Sequence, residues 1–320
     1  MLNAFPNTIP AVLTEFARQL GTHLKTRKLE IPEEFGRGYC TGFVFNEHIR
    51  MMIFNYELKE DLIIKNPDVE VSAKMILFKF QNIFSETETL LTHKPVKTIP
   101  SVLVATMRLN TKDIIPVHSN TATINIEVDA NYLAGLFDLS EKSPVLESLL
   151  QNAQPLLFEQ MIFPSLQKIV NEIVSEKIDE TFELFFMRVK AEELICRLLM
   201  ELEKREEKQL YDLNAHDIQI IYKVKEQMLE HLETPPVIKE LAALANMSPT
   251  KLKRLFRQIF GNSIFNYYQE FRMKKAAHLL KVEKLTVSEV GYRMGFTNMS
   301  HFSKVFNAHT GMKPKQFSKS

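Results

Sequence analysis

The sequence predicts an α+β fold with two domains: an amino-terminal antiparallel β-sandwich or barrel followed by helices, and an all-α carboxy-terminal domain. Three observations predict this arrangement. Apolar and polar residues alternate across residues 38–129, which is the period of a strand with one buried face. The apolar spacing changes to three and four residues across 130–208 and again across 216–320, which is the period of a helix. Within the last segment, a pattern of two helices joined by a turn occurs twice, at 236–260 and 286–310.

Charge separates the two predicted domains. The 320 residues suffice for two domains of ordinary size, and 45% hydrophobic with 25% charged residues is typical of a globular protein. Residues 215–320 contain 17 Lys and Arg against 8 Asp and Glu, whereas residues 1–214 contain 23 against 31. A polar segment with turn-forming residues marks the boundary, so we place a linker at 209–215, between domains 1–208 and 216–320. The basic domain is expected to bind a polyanion.

The two cysteines and the amino terminus predict an intracellular location. Cys40 and Cys196 match no metal or redox spacing, so we expect both to be reduced residues of the core. The first ten residues lack the basic and apolar regions of a signal peptide. No apolar run approaches the roughly 18 residues that cross a bilayer. We therefore expect a cytoplasmic protein that does not bind a membrane.

The elements of the first domain follow from the two periods. Ile9, Leu13 and Phe16 share one face of a predicted helix, Thr8–Leu24, in which Pro10 falls in the first turn. Strands are predicted at Tyr39–Phe45, around Phe54–Leu58, at Leu62–Lys65, Ala73–Phe80 and Ser101–Leu109, and around Ile124–Val128. Several short strands of this kind favour a small antiparallel sandwich or barrel.

Capping residues mark the helices that come next. Asp129 is placed to cap a short helix through Phe137, the pair Ser143-Pro144 opens another, and a third begins near Pro164. The longest predicted helix, Asp179–Lys204, would span nearly 40 Å at about 1.5 Å per residue. That exceeds what a small sandwich covers, so we predict that this helix forms a homodimer through Phe182, Phe185, Val189, Cys196 and Leu199. The alternative is that it packs on the preceding helix of its own chain.

The repeated pattern has the features of a helix-turn-helix. A residue that tolerates positive φ stands at each turn, Asn246 in the first copy and Gly295 in the second. Each second helix then begins at a capping residue, Ser248 before Pro249 and Asn298. The turn residues Asn246 and Gly295 are 49 positions apart, whereas the caps Ser248 and Asn298 are 50 positions apart. We therefore predict that the second turn is one residue longer.

The second helix of each copy has an apolar and a polar face. Leu252, Leu255, Phe256 and Ile259 form the buried stripe of the first, and Phe302, Val305 and Phe306 that of the second. Basic groups can hold phosphates or guanine, and short polar groups can reach base edges. The candidate DNA-binding residues are the two caps and the outward side chains: Ser248, Thr250, Lys251, Lys253, Arg254, Arg257, Asn298, Ser300, His301, Ser303, Lys304 and Asn307. Gln258 is also expected to face outward. Ordinary amphipathic helices are the alternative, but two copies with matched turns and caps favour DNA binding.

The same residues carry a family resemblance. The pattern E-L-A…M-S…L…L-F…F-G-x-S…Y…R…A…L-L, followed by V…G-F-T-N-x-S-H-F-S-K-x-F…G…P…F, resembles the DNA-binding domain of AraC/XylS-type transcriptional regulators over about 100 residues. The resemblance implies that Ser248–Arg257 and Asn298–Asn307 are recognition helices and that Ser263–Lys281 is the rigid spacer between them. Gly291 stands where the family usually has Ala, and Ser318 where it usually has Arg.

The first domain is similar to that family in organisation more than in motif. The resemblance implies a cupin-like sandwich that binds a small-molecule effector and dimerises, in a ligand-responsive activator with RNA polymerase as a partner. The motif F-E-x-x-x-x-P at Phe158, together with K-x-x-E-L at Lys190, is similar to the branch that contains the pyochelin regulator. The sequence does not identify the effector or its contact residues. Aromatic and Met residues around Phe43–Tyr56 are either plain core or the lining of an apolar pocket.

An enzyme is the alternative function, because cupin-like barrels often hold a catalytic metal. His48, His93 and His118 are isolated in the sequence, and no H-x-H pair, G-x-S-x-G or phosphate-binding Gly loop occurs. We therefore expect no metal, no other cofactor and no catalytic residue. A third possible function is that of an architectural DNA-binding protein, which would bind DNA without a preferred sequence.

Overall fold

The fold consists of two compact units. The computed structural model describes residues 8–65, 74–83, 99–106, 114–117, 120–137, 143–205, 207, 210–211 and 213–319. The units are Met1–Asp212 and Leu213–Ser320, and the predicted linker 209–215 spans their division. In the part of the chain that the structure describes, no helix is both long enough and apolar enough to cross a membrane.

Antiparallel strands form the centre of the first unit. Their bounds are β1 Lys28–Glu30, β2 Gly36–Val44, β3 Ile49–Leu58, β4 Leu62–Lys65, β5 Met75–Gln81, β6 Ser101–Thr106, β7 Ile114–Val117, β8 Asn120–Asp129 and β9 Leu157–Met161. A seven-stranded sheet has the order β1-β2-β3-β8-β5-β6-β9, and β4 pairs with β7 in a separate two-stranded sheet. The six predicted strands are therefore confirmed, as β2 to β6 and β8, where the structure describes them. Residue 73 of Ala73–Phe80 and residues 107–109 of Ser101–Leu109 lie outside the described residues.

Helices pack against both faces of the large sheet. Their bounds are α1 Ala11–Gln19, α2 Ala130–Gly135, α3 Pro144–Gln151, α4 Pro164–Ser175 and α5 Glu180–Glu203. One sheet face packs against α2 to α5 in a large core, to which the strands contribute Phe43, Met51, Ile53, Phe78, Phe80, Ile124 and Ile126. On the opposite face, Met52 and Tyr56 of β3 pack against Leu13 and Phe16 of α1. The antiparallel sheet with helices agrees with the prediction, whereas closure into a cupin-like sandwich is not confirmed.

Local capping confirms the predicted helix starts. The side chain of Asp129 accepts a hydrogen bond from the backbone of Tyr132, Ser143 caps α3, and Asp179 caps α5. Asp179 also has a pKa below its usual value, because the backbone and hydroxyl of Thr181 donate to its carboxylate. These bonds join residues within three positions of each other, and the sequence predicted the caps at Asp129 and Ser143, whereas it predicted Asp179 only as the start of its helix.

Two expectations for this unit were wrong. Strand β9 lies inside 130–208, which was predicted to be helical, and it pairs with β6 from Ser101↔Met161 to Ala105↔Leu157. Its short apolar run has no period of its own, so pairing with a distant strand decides its conformation. Helix α1 is shorter than Thr8–Leu24, because Pro10 precedes its first turn and Gly21 has a φ of +61° after its last.

The stripe predicted on α5 divides between two faces. Leu199 is only 3% exposed and belongs to the core, with Met187, Ala191, Leu194, Ile195, Leu198 and Leu202. Phe182, Phe185 and Val189 are 65%, 71% and 44% exposed, and Cys196 is exposed as well. At about 100° per residue, Leu199 lies roughly 40–100° to one side of these four, towards the core, and Met200 continues their exposed face instead. Leu199 is therefore not a contact residue, and Cys196, unlike the buried Cys40, is not a core residue.

The second unit is all-helical in its described residues. Its helices are α6 Ala215–Glu230, α7 Ile238–Leu244, α8 Pro249–Phe260, α9 Ile264–Lys281, α10 Val287–Arg293, α11 Met299–Thr310 and α12 Pro314–Phe317. The pairs α7–α8 and α10–α11 are the two predicted helix-turn-helix units, and α9 joins them.

Candidate nucleic-acid interface

The two turns have the predicted backbone geometry. Asn246 has a φ of +48° and Gly295 a φ of +74°, both in the left-handed region. Gly295 is also confined by its surroundings, because a Cβ built there would lie 2.2 Å from the carbonyl oxygen of Glu233. The second turn therefore requires glycine for two separate reasons, its φ and its close approach to another backbone segment.

Side-chain caps fix where the two second helices begin. The hydroxyl of Ser248 accepts from the backbone N–H of Lys251 at 3.2 Å. The Oδ1 of Asn298 accepts from the N–H groups of Ser300 and His301 at 2.9 and 3.1 Å. Both caps were also predicted to bind DNA, and the structure shows that their oxygens are engaged within the helix. For Asn298 this leaves the amide nitrogen as the group able to donate outward.

Helix α8 presents its predicted outer face, with one correction. Thr250, Lys253, Arg254 and Arg257 are exposed. Gln258, by contrast, is buried at 2% exposure, because it lies beside the apolar stripe rather than opposite it.

One cation of this helix is paired within the unit. The Nζ of Lys251 lies 3.0 Å from Oδ1 of Asp217 on α6, and the Asp217 side chain is only 11% exposed. The ammonium of Lys251 is thus partly neutralised and held towards α6. Sequence reasoning did not find this pair, since 34 residues separate its members.

Helix α11 presents the short polar groups. Ser300, His301, Lys304 and Asn307 are exposed, and Ser303 is partly exposed. The ring of His301 meets that of Phe296 edge to face, with 5.5 Å between centroids, which restricts its orientation. Phe302 and Phe306 on the other side of the helix are fully buried.

Helix α9 packs on both halves of the unit. Towards the first, Tyr267 meets the ring of Phe256 edge to face at 5.6 Å. Towards the second, Met273, Ala276 and Leu280 share a core with Phe302 and Phe306. Because one continuous helix contacts both cores, the outer faces of α8 and α11 are held at a defined separation.

A buried arginine strengthens the second of these contacts. The guanidinium of Arg272 on α9 lies between the rings of Tyr268 and Phe296, 5.0 and 4.5 Å from their centroids. It also donates to the carbonyl oxygen of Met294, at the end of α10 beside the turn. Burial lowers the pKa of Arg272. The sequence pattern includes this Arg, but its role depends on packing that the spacing does not reveal.

The histidines do not form a metal centre in the described part of the chain. Within the residues that the structure describes, no group of three His, Cys, Asp or Glu could hold a metal ion. The ring of His48 stacks on that of Tyr132 at 4.8 Å. His93 and His118 lie outside the described residues.

Comparison with known proteins agrees with this geometry for the second unit. A family model described as "Helix-turn-helix domain" matches residues 241–320. The HTH-type transcriptional regulator GlxA of Rhizobium meliloti (strain 1021) is 37% identical over 83 residues, 26% of this chain and 26% of the relative. The arabinose operon regulatory protein of Escherichia coli (strain K12) is 34% identical over 80 residues, 25% of this chain and 27% of the relative. The match thus spans about a quarter of the length of these relatives.

Solved structures include a similar domain as well. The DNA-binding domain of the global transcriptional factor AdpA, in complex with a target DNA, is 28% identical, and the match covers 31% of this chain and 89% of that one. Its TM-score of 0.29 is too low for a comparison of folds. The relatives do not confirm the resemblance to the pyochelin branch, and they do not favour an enzyme. Residues 241–320 are therefore a helix-turn-helix domain of the kind found in AraC/XylS-family transcriptional regulators.

Proposed function

We propose that this protein is a sequence-specific DNA-binding transcriptional regulator. The observation that carries the proposal is the pair of exposed, capped second helices, α8 and α11, which a single helix holds apart within one basic unit. Because α9 packs on both cores, the two helices should enter successive major-groove segments on one side of the DNA, about one helical turn apart. Phosphate contacts should dominate affinity, with a log–log salt slope of about −0.9 per phosphate neutralised.

Selection of binding sites from random DNA, followed by footprinting of the full chain, tests this function. A protected sequence with two subsites is expected, and inserting half a helical turn between the subsites should abolish high affinity. Arg254→Ala should weaken DNA binding by roughly 1–3 kcal/mol. If Arg254 contacts a guanine, the preference at one base pair should be lost, whereas if it contacts a phosphate, binding to all sequences should weaken alike. The matched control is Lys223→Ala, an exposed cation on α6 that is not one of the candidate DNA-binding residues. Binding without any protected sequence would instead indicate a non-specific, architectural DNA-binding protein.

We further infer that the protein acts as a ligand-responsive activator in the cytoplasm, with the first unit as the effector-binding part and RNA polymerase as a partner. Two likenesses to AraC/XylS-type regulators support this inference: the motifs of about 100 carboxy-terminal residues, and the organisation of the first domain, which would then be cupin-like. Transcription from the selected site, measured with purified polymerase and with or without effector, tests it. Repression, or no change, would contradict an activator.

A homodimer through α5 is part of the same proposal. Its support is the exposed face of α5 that contains Phe182, Phe185, Val189, Cys196 and Met200, a stripe of apolar residues along one helix. The pair Arg188–Glu192, at 3.0 Å, lies beside this stripe. A second copy of α5 would remove these apolar side chains from water. Dimerisation would also bring four second helices to DNA and raise their effective concentration.

A further inference from the structure

One face of the large sheet carries an ordered set of polar side chains. The strand registers place Met52, Asn125, Lys79, Leu103 and Glu159 in one row across β3, β8, β5, β6 and β9. The next row is Phe54, Thr123, Gln81, Ser101 and Met161. Alternation directs these residues away from the core of α2 to α5, because Phe78, Phe80, Ile124 and Ile126 between them belong to that core.

Two buried oxygens and one partly exposed ammonium at the centre of this set have no partner among the described residues. Thr123 is 7% exposed, and among the described residues neither its Oγ1 nor the Oδ1 of Asn125 has a hydrogen-bond partner. Lys79 faces Asn125 directly across β5 and β8. Burial lowers the pKa of Lys79, and no hydrogen bond or ion pair to its ammonium is seen in the described part of the chain.

The polar groups around these three are satisfied. Gln81 donates to the hydroxyl of Ser101 at 3.2 Å. Arg50 donates to Glu127, its neighbour across β3 and β8, at 2.6 Å. Glu159 lies in the row of Lys79 but two strands away, about 10 Å between backbones, and makes no ion pair with it. The unsatisfied groups therefore form a single patch of one cation and two oxygens.

Such a patch is unfavourable in a sealed core. A buried polar atom without a hydrogen bond is destabilising, and a desolvated ammonium without a counter-charge more so. A bound molecule with the complementary groups would remove both penalties. Phe54 and Leu103, partly exposed in the same two rows, supply apolar surface on either side.

We propose that this sheet face binds a small hydroxycarboxylate as the effector of the protein. Its carboxylate accepts from the ammonium of Lys79, its hydroxyl donates to Oδ1 of Asn125, and the hydroxyl of Thr123 donates to a second carboxylate oxygen. Its carbon skeleton packs against Phe54 and Leu103. That the bound molecule is the effector rests on the proposed function. That the sheet face binds such a molecule rests on the geometry alone.

Thermal melting of the full chain tests the site. The probes are lactate, 3-hydroxybutyrate and salicylate, each paired with its neutral amide. At least one carboxylate is expected to raise the melting temperature while its amide does not, since the amide lacks the charge that Lys79 requires. Lys79→Met should remove this increase and weaken binding, measured by titration calorimetry, by about tenfold or more. Lys74→Met, at an exposed position just before β5, should leave it unchanged.

A second variant tests the unsatisfied hydroxyl without any ligand. Thr123→Val keeps the shape of the side chain and removes the hydroxyl, so the melting temperature should not fall. A decrease of several degrees would show that the hydroxyl has a structural partner and would overturn the site. It would also be overturned if no carboxylate in the panel acts, or if wild type and Lys79→Met respond equally. Footprinting in parallel separates the two proposals, because protected DNA without a carboxylate response overturns the site alone.

Discussion

The guanidinium of Arg272 lies 4.5 Å from the centre of the Phe296 ring, and it donates to the carbonyl oxygen of Met294. Arg272 belongs to the joining helix α9, whereas the other two residues flank the second turn. This contact therefore links the helix that spaces the two DNA-binding units to the turn of one of them.

Arg272→Ala should lower the free energy of unfolding by roughly 2–4 kcal/mol, because it leaves a cavity between two rings and an unpaired carbonyl group. Urea denaturation of the full chain, followed by circular dichroism, measures this change. Lys223→Ala, at an exposed position, should change it by less than about 0.5 kcal/mol. Equal stability of the two variants would show that the contact contributes nothing.

Gly295→Ala should destabilise the protein more than Gly311→Ala. The φ values are nearly equal, +74° and +75°, so the conformational cost of a side chain is shared. A Cβ at Gly311 meets nothing within 4 Å, whereas at Gly295 it would lie 2.2 Å from the Glu233 oxygen. We expect about 1 kcal/mol for Gly311→Ala and at least about 2–3 kcal/mol for Gly295→Ala. Comparable melting temperatures would mean that the second turn is less confined than the structure indicates.

Lys251→Ala should weaken DNA binding less than Lys253→Ala. Both cations are on α8, but Lys251 already pairs with Asp217, whereas Lys253 is exposed. Lys253→Ala should reduce the salt slope of binding by about one and weaken all sequences alike, if Lys253 holds a phosphate. Asp217→Asn should leave DNA affinity equal or higher, because it removes the competing charge. Fluorescence anisotropy at several salt concentrations measures all three, and a larger loss for Lys251→Ala would contradict the assignment.

Phe185→Glu combined with Val189→Glu should convert the proposed homodimer into a folded monomer, because both side chains are on the exposed face of α5. Leu199 is unsuitable for this test, since a charge at that buried position would unfold the core. Ile63→Glu is the matched control, an exposed apolar residue on β4 that should leave the dimer intact. Light scattering with circular dichroism measures mass and folding together. A monomeric wild type at micromolar concentration, or a dimeric double variant, would show that α5 is not the interface.

Much of the fold followed from interactions between residues close in sequence. The caps at Asp129, Ser143 and Asp179, and the positive φ of Asn246 and Gly295, each depend on a few neighbouring residues. Apolar spacing likewise predicted six of the strands, β2 to β6 and β8, and the buried stripes of α8 and α11. The outward groups of those two helices were predicted as a set, and the exception was Gln258.

Hydrogen bonds and apolar periods within a few residues thus specify most of the strands, the ends of most helices and the paired helix-turn-helix units, which is why these could be predicted. Packing between distant segments is what directs Leu199 but not Val189 to the core, pairs Asp217 with Lys251, and adds β9 to the sheet. It also brings Lys79, Asn125 and Thr123 together through strand register. The physical reason is that spacing determines which residues share a face, whereas the partner of that face comes from segments far away in the chain.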